Sequence, residues 1–300
     1  MHLAIAFDQG YAQPFFALLH SIFENNKGVE FTIHSIVHDI SENEKNKISA
    51  YCKEFNSNIL FYEINFEENA QLVLLHKWTS AVYYRLYFPQ LVKSEKLLYL
   101  DADTLVIGRL EPLYHTEMGR YPIAAVDDNY VMNHPEIGIE GEGNYFNSGV
   151  MLINVPEWRN QAITEKVLRF LKEHAEKIKF VDQDGLNAVL KDNWLKLDWK
   201  YNVIYSRIPK EVSKRVLDQF IQDKVIIHFT LERPWNRLCK NRFRNLYYRH
   251  LKKSPLGDRN PFVTEKVSLM SLLQLRLMEY YFDCPFIGKL WRALKMSQPK

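Results

Sequence analysis

Apolar residues in the first hundred positions fall into short blocks separated by capping and turn residues. Leu3–Phe7, Phe31–Val37, Asn58–Ile64 and Leu97–Leu100 are runs of strand length, whereas Tyr11–Glu24 and Ser41–Phe55 place their apolar residues at helical spacing. Ser41 is a good N-cap, and Glu44 three residues later completes a capping box. Strand and helix alternate, which predicts an α/β fold with a mostly parallel central sheet and helices on both faces. Further strands are expected at Ile123–Val126, Gly149–Asn154 and Val225–Thr230, and helices at Trp78–Leu86 and Asp182–Leu190.

From about Pro234 the pattern changes. Arg, Tyr, Trp and Phe dominate, Thr264–Phe282 reads as an amphipathic helix, and Pro285–Met296 reads as a short basic-aromatic tail. The charge changes at the same place: residues 1–232 carry a net −8 and residues 233–300 a net +11, so the total of +3 hides an acidic body with a basic end. The expected division is a body over residues 1–236 and a mainly helical C-terminal region over residues 237–300. Such a basic end suits an anionic membrane surface; the plainer reading is a helix packed on the body. Nucleic acid is a poor partner, because the charge is confined to one end and no reader motif occurs.

Cys52, Cys239 and Cys284 show neither zinc spacing nor a disulfide framework. No basic stretch precedes a signal-like apolar run, and no run approaches the roughly 20 apolar residues of a membrane span. The expectation is a protein of the reducing cytoplasm, peripheral at most on the inner face of its membrane.

Chemistry concentrates at the ends of the apolar runs. Leu97–Leu100 runs into Asp101-Ala102-Asp103, two carboxylates that an extended backbone points the same way. At the carboxyl end of a strand in an open α/β sheet they can share a divalent ion, although paired turn aspartates are common. Ala6-Phe7-Asp8-Gln9-Gly10-Tyr11 ends the first strand with an acceptor, a flexible glycine and an aromatic face. Arg85 lies among apolar and aromatic neighbours and needs a phosphate or an acidic partner. Asn147 and Gly149 precede an apolar run, while Asp182, Gln183, Asp184 and Asn187 crowd a helix start, more polar groups than an N-cap explains. His228 ends Ile226-Ile227-His228, and with two aspartates it makes a mixed nitrogen and oxygen set that suits manganese. Arg233-Pro234-Trp235 follows it.

In this order and spacing, these segments resemble glycosyltransferase family 8, retaining enzymes that include bacterial lipopolysaccharide galactosyl- and glucosyltransferases and glycogenin. The resemblance covers roughly residues 1–236. It implies a single Rossmann-like, nucleotide-sugar-binding domain of the GT-A type. It implies that Asp8 and Tyr11 hold uracil, and that Ala6, Gly10, Ala102, Arg85, Asp101, Asp103 and Arg233 line the rest of the nucleotide-sugar. Asp101, Asp103 and His228 would ligate Mn²⁺, with Mg²⁺ as a substitute. Arg85, Asp101, Asn147, Asp182 and Gln183 would surround the hexose, Gln183 nearest the anomeric carbon, and Asp127 and nearby residues would face the acceptor.

Two positions depart from the family pattern. Gly10 stands where the family often has Asn, and Leu231-Glu232-Arg233 replaces a loop that commonly carries Gly and Lys, so that Arg233 takes the place of the lysine at the diphosphate. The implied reaction moves galactose or glucose from UDP to an oligosaccharide or glycolipid acceptor. A metal-dependent nucleotide-sugar phosphohydrolase would share Asp101 and Asp103 without needing the sugar contacts. A non-catalytic polyanion-binding protein would need the basic end alone.

Overall fold

The blocks beginning at His2 and Lys96 become strands covered on both faces, so each is apolar on both sides, whereas the block at Asn58 is a partly exposed edge. The computed structural model describes residues 1–64, 80–131, 133–257 and 267–284. Its strands are β1 (His2–Asp8), β2 (Thr32–His38), β3 (Asn58–Tyr62), β4 (Lys96–Leu100), β5 (Thr104–Val106), β6 (Ile123–Asp127), β7 (Phe146–Asn154), β8 (Leu195–Lys196), β9 (Val203–Ile204) and β10 (Ile226–His228). Seven of them form the central sheet in the order β3-β2-β1-β4-β7-β6-β8. β7 runs antiparallel to β4 and β6, and the other neighbours are parallel, as the alternation predicts.

Successive residues of β1 and β4 feed opposite cores. Leu3, Ile5, Phe7, Leu98 and Leu100 pack under helix α1 (Ala12–Asn25), while Ala4, Leu97 and Tyr99 pack with Tyr83, Tyr84 and Trp158 on the other face. Helix α2 (Glu42–Lys53) starts at the Ser41 cap, whose hydroxyl oxygen accepts from the Glu44 N–H.

Three expectations change in detail. The described part of Trp78–Leu86 is a 3₁₀ helix over Ser80–Leu86, and Trp78 and Thr79 lie outside the described residues. The strand expected from Gly149 starts at Phe146, so Asn147 and Gly149 lie within the ladder. The Val225–Thr230 run contributes only β10, in a separate small sheet of order β5-β10-β9, antiparallel to β5 and parallel to β9. A short apolar run has no periodicity that says which sheet it joins.

Packing continues beyond residue 236. The helix Arg244–Lys253 lies across α1, and Phe243, Tyr247 and Leu251 share one apolar cluster with Phe15 and Leu19. The helix Leu269–Asp283 is held through Glu279 and Asp283, which pair with Arg244 and Arg242. Leu269, Leu273, Leu277 and Tyr280 on that helix are exposed. The expected start of this helix at Thr264 and the tail Pro285–Met296 lie outside the described residues. Among the described residues, no helix is long and apolar enough to cross a membrane.

Candidate active site

Asp101 and Asp103 sit in the tight turn by which the chain leaves β4 for β5. The Asp101 carbonyl accepts from the Thr104 N–H at 3.0 Å and from the Thr104 hydroxyl at 2.7 Å. Antiparallel pairing of β5 with β10 then places His228 opposite Thr104. As a result His228 Nε2 lies 3.1 Å from Asp103 Oδ1 and 3.7 Å from Asp101 Oδ2. One ligand atom from each of the three lies within 4.8 Å of the others, a group able to hold a divalent ion.

The two aspartates are not equivalent. Asp101 Oδ1 accepts from Tyr99 Oη at 2.7 Å and pairs with Arg85 at 2.9 Å, while Oδ2 accepts from Arg85 Nη1 at 3.4 Å and faces His228. Asp103 is more deeply buried. Burial would raise its carboxyl, but His228 and Arg233 outweigh that effect and hold it below the usual range. The same contact raises His228 against the lowering effect of burial.

The 3₁₀ helix delivers Arg85 into the sheet end, where it is 7% exposed. Its Nε lies 2.9 Å from Asp182 Oδ2, its second terminal nitrogen lies 2.9 Å from Asp101 Oδ1, and the first donates to Ser148 O at 2.8 Å. The partner this arginine requires is therefore the acidic cluster. Burial opposes its charge, but Asp101 and Asp182 outweigh burial and push its pKa up further. Burial pushes the Asp182 carboxyl up to about 7, with Arg85 pulling it down and Asp101 adding to the rise.

Asp182 and Gln183 occupy the first turn of the helix Val181–Val189, and Val181 before them has φ 47°. A left-handed β-branched residue is strained and is tolerated where its surroundings fix it. The polar cluster at this helix start divides its work. Asp184 is fully buried and accepts from the Lys179 and Phe180 N–H groups and from Tyr145 Oη, and Asn187 ties down Phe146 in β7. Those two build the fold, while Asp182 and Gln183 turn to the site.

Two adjoining cavities of about 170 Å³ each meet here, and Arg85, Asp101, Asp103 and Arg233 line both. One lobe is lined by Ala6, Asp8, Tyr11 and Ala102. The other is lined by Asn147, Asp182, Gln183 and His228. Arg233 lies over the Tyr11 ring at 5.6 Å, and Trp235 packs on the same ring edge-on at 5.5 Å. Among the described residues, Arg233 Nε is buried without a hydrogen-bond partner, 3.7 Å from Asp103 Oδ2.

Two of the expected residues stand outside these cavities. Gly10 lines neither lobe; it sits in the 3₁₀ turn Gln9–Tyr11, where an added Cβ would meet Asp8 Oδ1 at 3.3 Å. Asp127 pairs with Arg207 at 2.7 Å and Lys196 at 3.2 Å, and its neighbour Asp128 enters the second lobe instead. Neighbouring residues at a strand end point to opposite sides.

Asp128 and Asn202 are site residues that carry no sequence signal. Asn147 Nδ2 donates to Asp128 Oδ2 at 3.0 Å, and Asn147 Oδ1 accepts from Gly149 N at 3.1 Å and from Asn202 Nδ2 at 2.9 Å. Gln183 bridges Ser148 N at 3.0 Å and Asp128 Oδ2 at 3.3 Å.

The sequence profile of the family described as "Glycosyl transferase family 8" matches residues 2–239. The chain belongs to glycosyl transferase family 8. This family 8 chain is 32% identical over 259 residues to a lipopolysaccharide 1,2-glucosyltransferase of Escherichia coli, covering 80% of this chain and 76% of that one. It is 30% identical over 265 residues to general stress protein A of Bacillus subtilis, covering 84% of this chain and 93% of that one. Among solved structures, the galactosyltransferase LgtC in complex with donor and acceptor sugar analogs superposes with a TM-score of 0.74 at 24% identity, covering 85% of this chain and 96% of that one. That likeness is one of fold, and places this family 8 chain in the GT-A type.

Proposed function

We propose that the protein is a metal-dependent, retaining hexosyltransferase that moves galactose or glucose from a UDP-sugar to a glycan acceptor, in the synthesis of lipopolysaccharide, lipooligosaccharide or a related surface glycan. The observation that carries this reading is the meeting of two lobes at Asp101, Asp103, Arg85 and Arg233. A nucleoside on one side and a sugar on the other would place a diphosphate at that junction.

The mixed nitrogen and oxygen donor set supports manganese, with magnesium as a substitute. When bound, such an ion supplies Lewis-acid neutralisation of the charge that grows on the UDP leaving group. Asp8 and Tyr11 would orient the base. The buried Nε of Arg233 would meet a phosphate oxygen, and Arg85 would hold Asp101 and Asp182 in place beside the hexose. Gln183 would position the sugar: its amide oxygen accepts from Ser148 N–H at 3.0 Å, which supports front-face attack with the leaving phosphate as base over a glycosyl adduct on this side chain. Tyr130, 58% exposed at the rim of the second lobe, offers a ring face to an acceptor sugar.

The exposed apolar row Leu269, Leu273, Leu277 and Tyr280 supports a peripheral seat for residues 237–300 on the inner face of the cytoplasmic membrane. Flotation with anionic vesicles, compared between the wild type and Leu273→Glu/Leu277→Glu, tests it; equal flotation removes the membrane seat.

The central test is turnover of a panel of UDP- and GDP-sugars by metal-stripped protein, with and without Mn²⁺, followed by product analysis. The expected result is UDP release from one UDP-hexose only when metal is present, and an acceptor glycoside of retained anomeric configuration. Hexose-1-phosphate formed regardless of acceptor identifies a phosphohydrolase, and no turnover of any UDP-sugar overturns the reading.

A further inference from the structure

A second group of metal-type ligands lies away from the catalytic turn, between α1 and the helix Arg244–Lys253. His20 and Glu24 are one helical turn apart on α1 and face the same way. His250 reaches them from the facing helix. His20 Nδ1 lies 2.9 Å from His250 Nδ1, His250 Nδ1 lies 3.3 Å from Glu24 Oε2, and His20 Nδ1 lies 4.0 Å from the same oxygen. Three donor atoms from two helices thus converge on one point. We propose that His20, Glu24 and His250 form a structural site for a zinc-class divalent ion that ties the C-terminal helix to α1.

The geometry and the chemistry agree. A tetrahedral ion with bonds of about 2.0–2.1 Å holds its ligands roughly 3.3 Å apart, and the three observed separations bracket that value. Two imidazoles and one carboxylate form a zinc-type set, whereas the catalytic group has one imidazole and two carboxylates. The two groups therefore differ in the ion they favour.

Both histidines are buried, which shields their rings from competing solvent. The charged neighbours are compatible with an ion. Lys253 engages the other oxygen of Glu24, leaving Oε2 toward the rings, and Arg249 belongs to the same helix as His250. Glu24 is partly exposed, its side chain 34% so, which opens the site to solvent for entry of the ion and for a water as fourth ligand.

The position suggests what the ion would do. α1 begins just after Tyr11, and the helix Arg244–Lys253 carries Tyr247, whose ring meets Trp235 at 5.6 Å. Trp235 in turn meets Tyr11. An ion fixing the two helices would steady the loop that carries Arg233 over the first lobe.

Metal-stripped full-length protein would be dialysed against Zn²⁺ and its content counted, and Co²⁺ would then be added as a spectroscopic probe. Two Zn²⁺ ions per chain are expected in the wild type, falling to one in His250→Gln, in Glu24→Gln and in Asp103→Asn. The intense visible absorption of tetrahedral Co²⁺ should persist in Asp103→Asn and disappear in His250→Gln and Glu24→Gln, with far-ultraviolet circular dichroism confirming that each variant is folded. Only weak, octahedral-type absorption in Asp103→Asn overturns the site, and so does a Zn²⁺ content unchanged by both His250→Gln and Glu24→Gln. Either result leaves the two histidines as a hydrogen-bonded packing pair.

Discussion

Asn202 Oδ1 lies 3.1 Å from His228 Nδ1, and this contact decides which nitrogen of the imidazole faces the aspartates. The assignment follows from a backbone donor. Gly149 N–H must donate, so the Asn147 atom it meets is oxygen; Asn202 therefore presents its nitrogen to Asn147 and its oxygen to His228. Nδ1 carries a proton in either charge state of the ring, and Nε2 is the nitrogen that faces Asp101 and Asp103.

Replacing Asn202 by Leu should therefore weaken metal binding by roughly 10- to 100-fold, the usual effect of losing a partner that orients a ligand. Asn202→Asp, which still accepts from Nδ1, should retain most of the affinity. Titration with Mn²⁺ followed by electron paramagnetic resonance of the free ion measures both. Equal affinities in the wild type and Asn202→Leu would remove this role.

Gly149 is needed for space. A Cβ at this position would lie 2.2 Å from His228 Cε1 and 2.6 Å from Asp101 Oδ2. Gly149→Ala must push the imidazole or the carboxylate aside, so Mn²⁺ binding should fall below detection while the protein loses about 1–3 kcal/mol of stability. Calorimetry of unfolding, alongside the Mn²⁺ titration, separates the two effects.

Arg85 holds two carboxylates at once, both at 2.9 Å. Arg85→Gln leaves Asp101 and Asp182 facing each other without a cation, and should cost about 3–5 kcal/mol, the range for breaking a buried pair on one side. Arg85→Lys keeps the charge but not the planar fork, and should fold better than Arg85→Gln while still losing activity. Thermal unfolding and kcat/KM of the two variants test this ranking.

Asp182 gives a pH signature. Its carboxyl is pushed from 3.8 up to about 7 in the folded protein. Between those values the native state keeps a proton that the unfolded chain has lost, so this group lowers stability as pH rises through that window. Asp182→Asn cannot titrate. Its Tm relative to wild type should therefore rise steadily from pH 4 to pH 7, measured without metal. A constant difference across that range would show that Asp182 ionises normally beside Arg85.

The parts of the site legible in the sequence are those where an apolar run stops at a polar residue. Asp101, Asp103 and His228 stand at such stops, and burial of both sheet faces makes the runs themselves easy to read. Asn202 and Asp128 have no such marking, because their roles arise from contacts between distant segments through Asn147. Asp127 and Asp128 are indistinguishable as letters; only the direction in which β6 ends separates an ion pair with Arg207 from a place in the cavity. The second sheet is hidden for a related reason: β5 and β10 have three residues each, too few to announce a partner.

The β5–β10 pairing joins ligands separated by 125 positions in the chain. During synthesis on the ribosome, Asp101, Asp103, Arg85, Asn147 and Gln183 all emerge before His228, which completes the candidate ion group. A nascent chain can thus assemble most of its main sheet before this group of ligands is complete, and binding of an ion there would be a timestamp for the arrival of the C-terminal third.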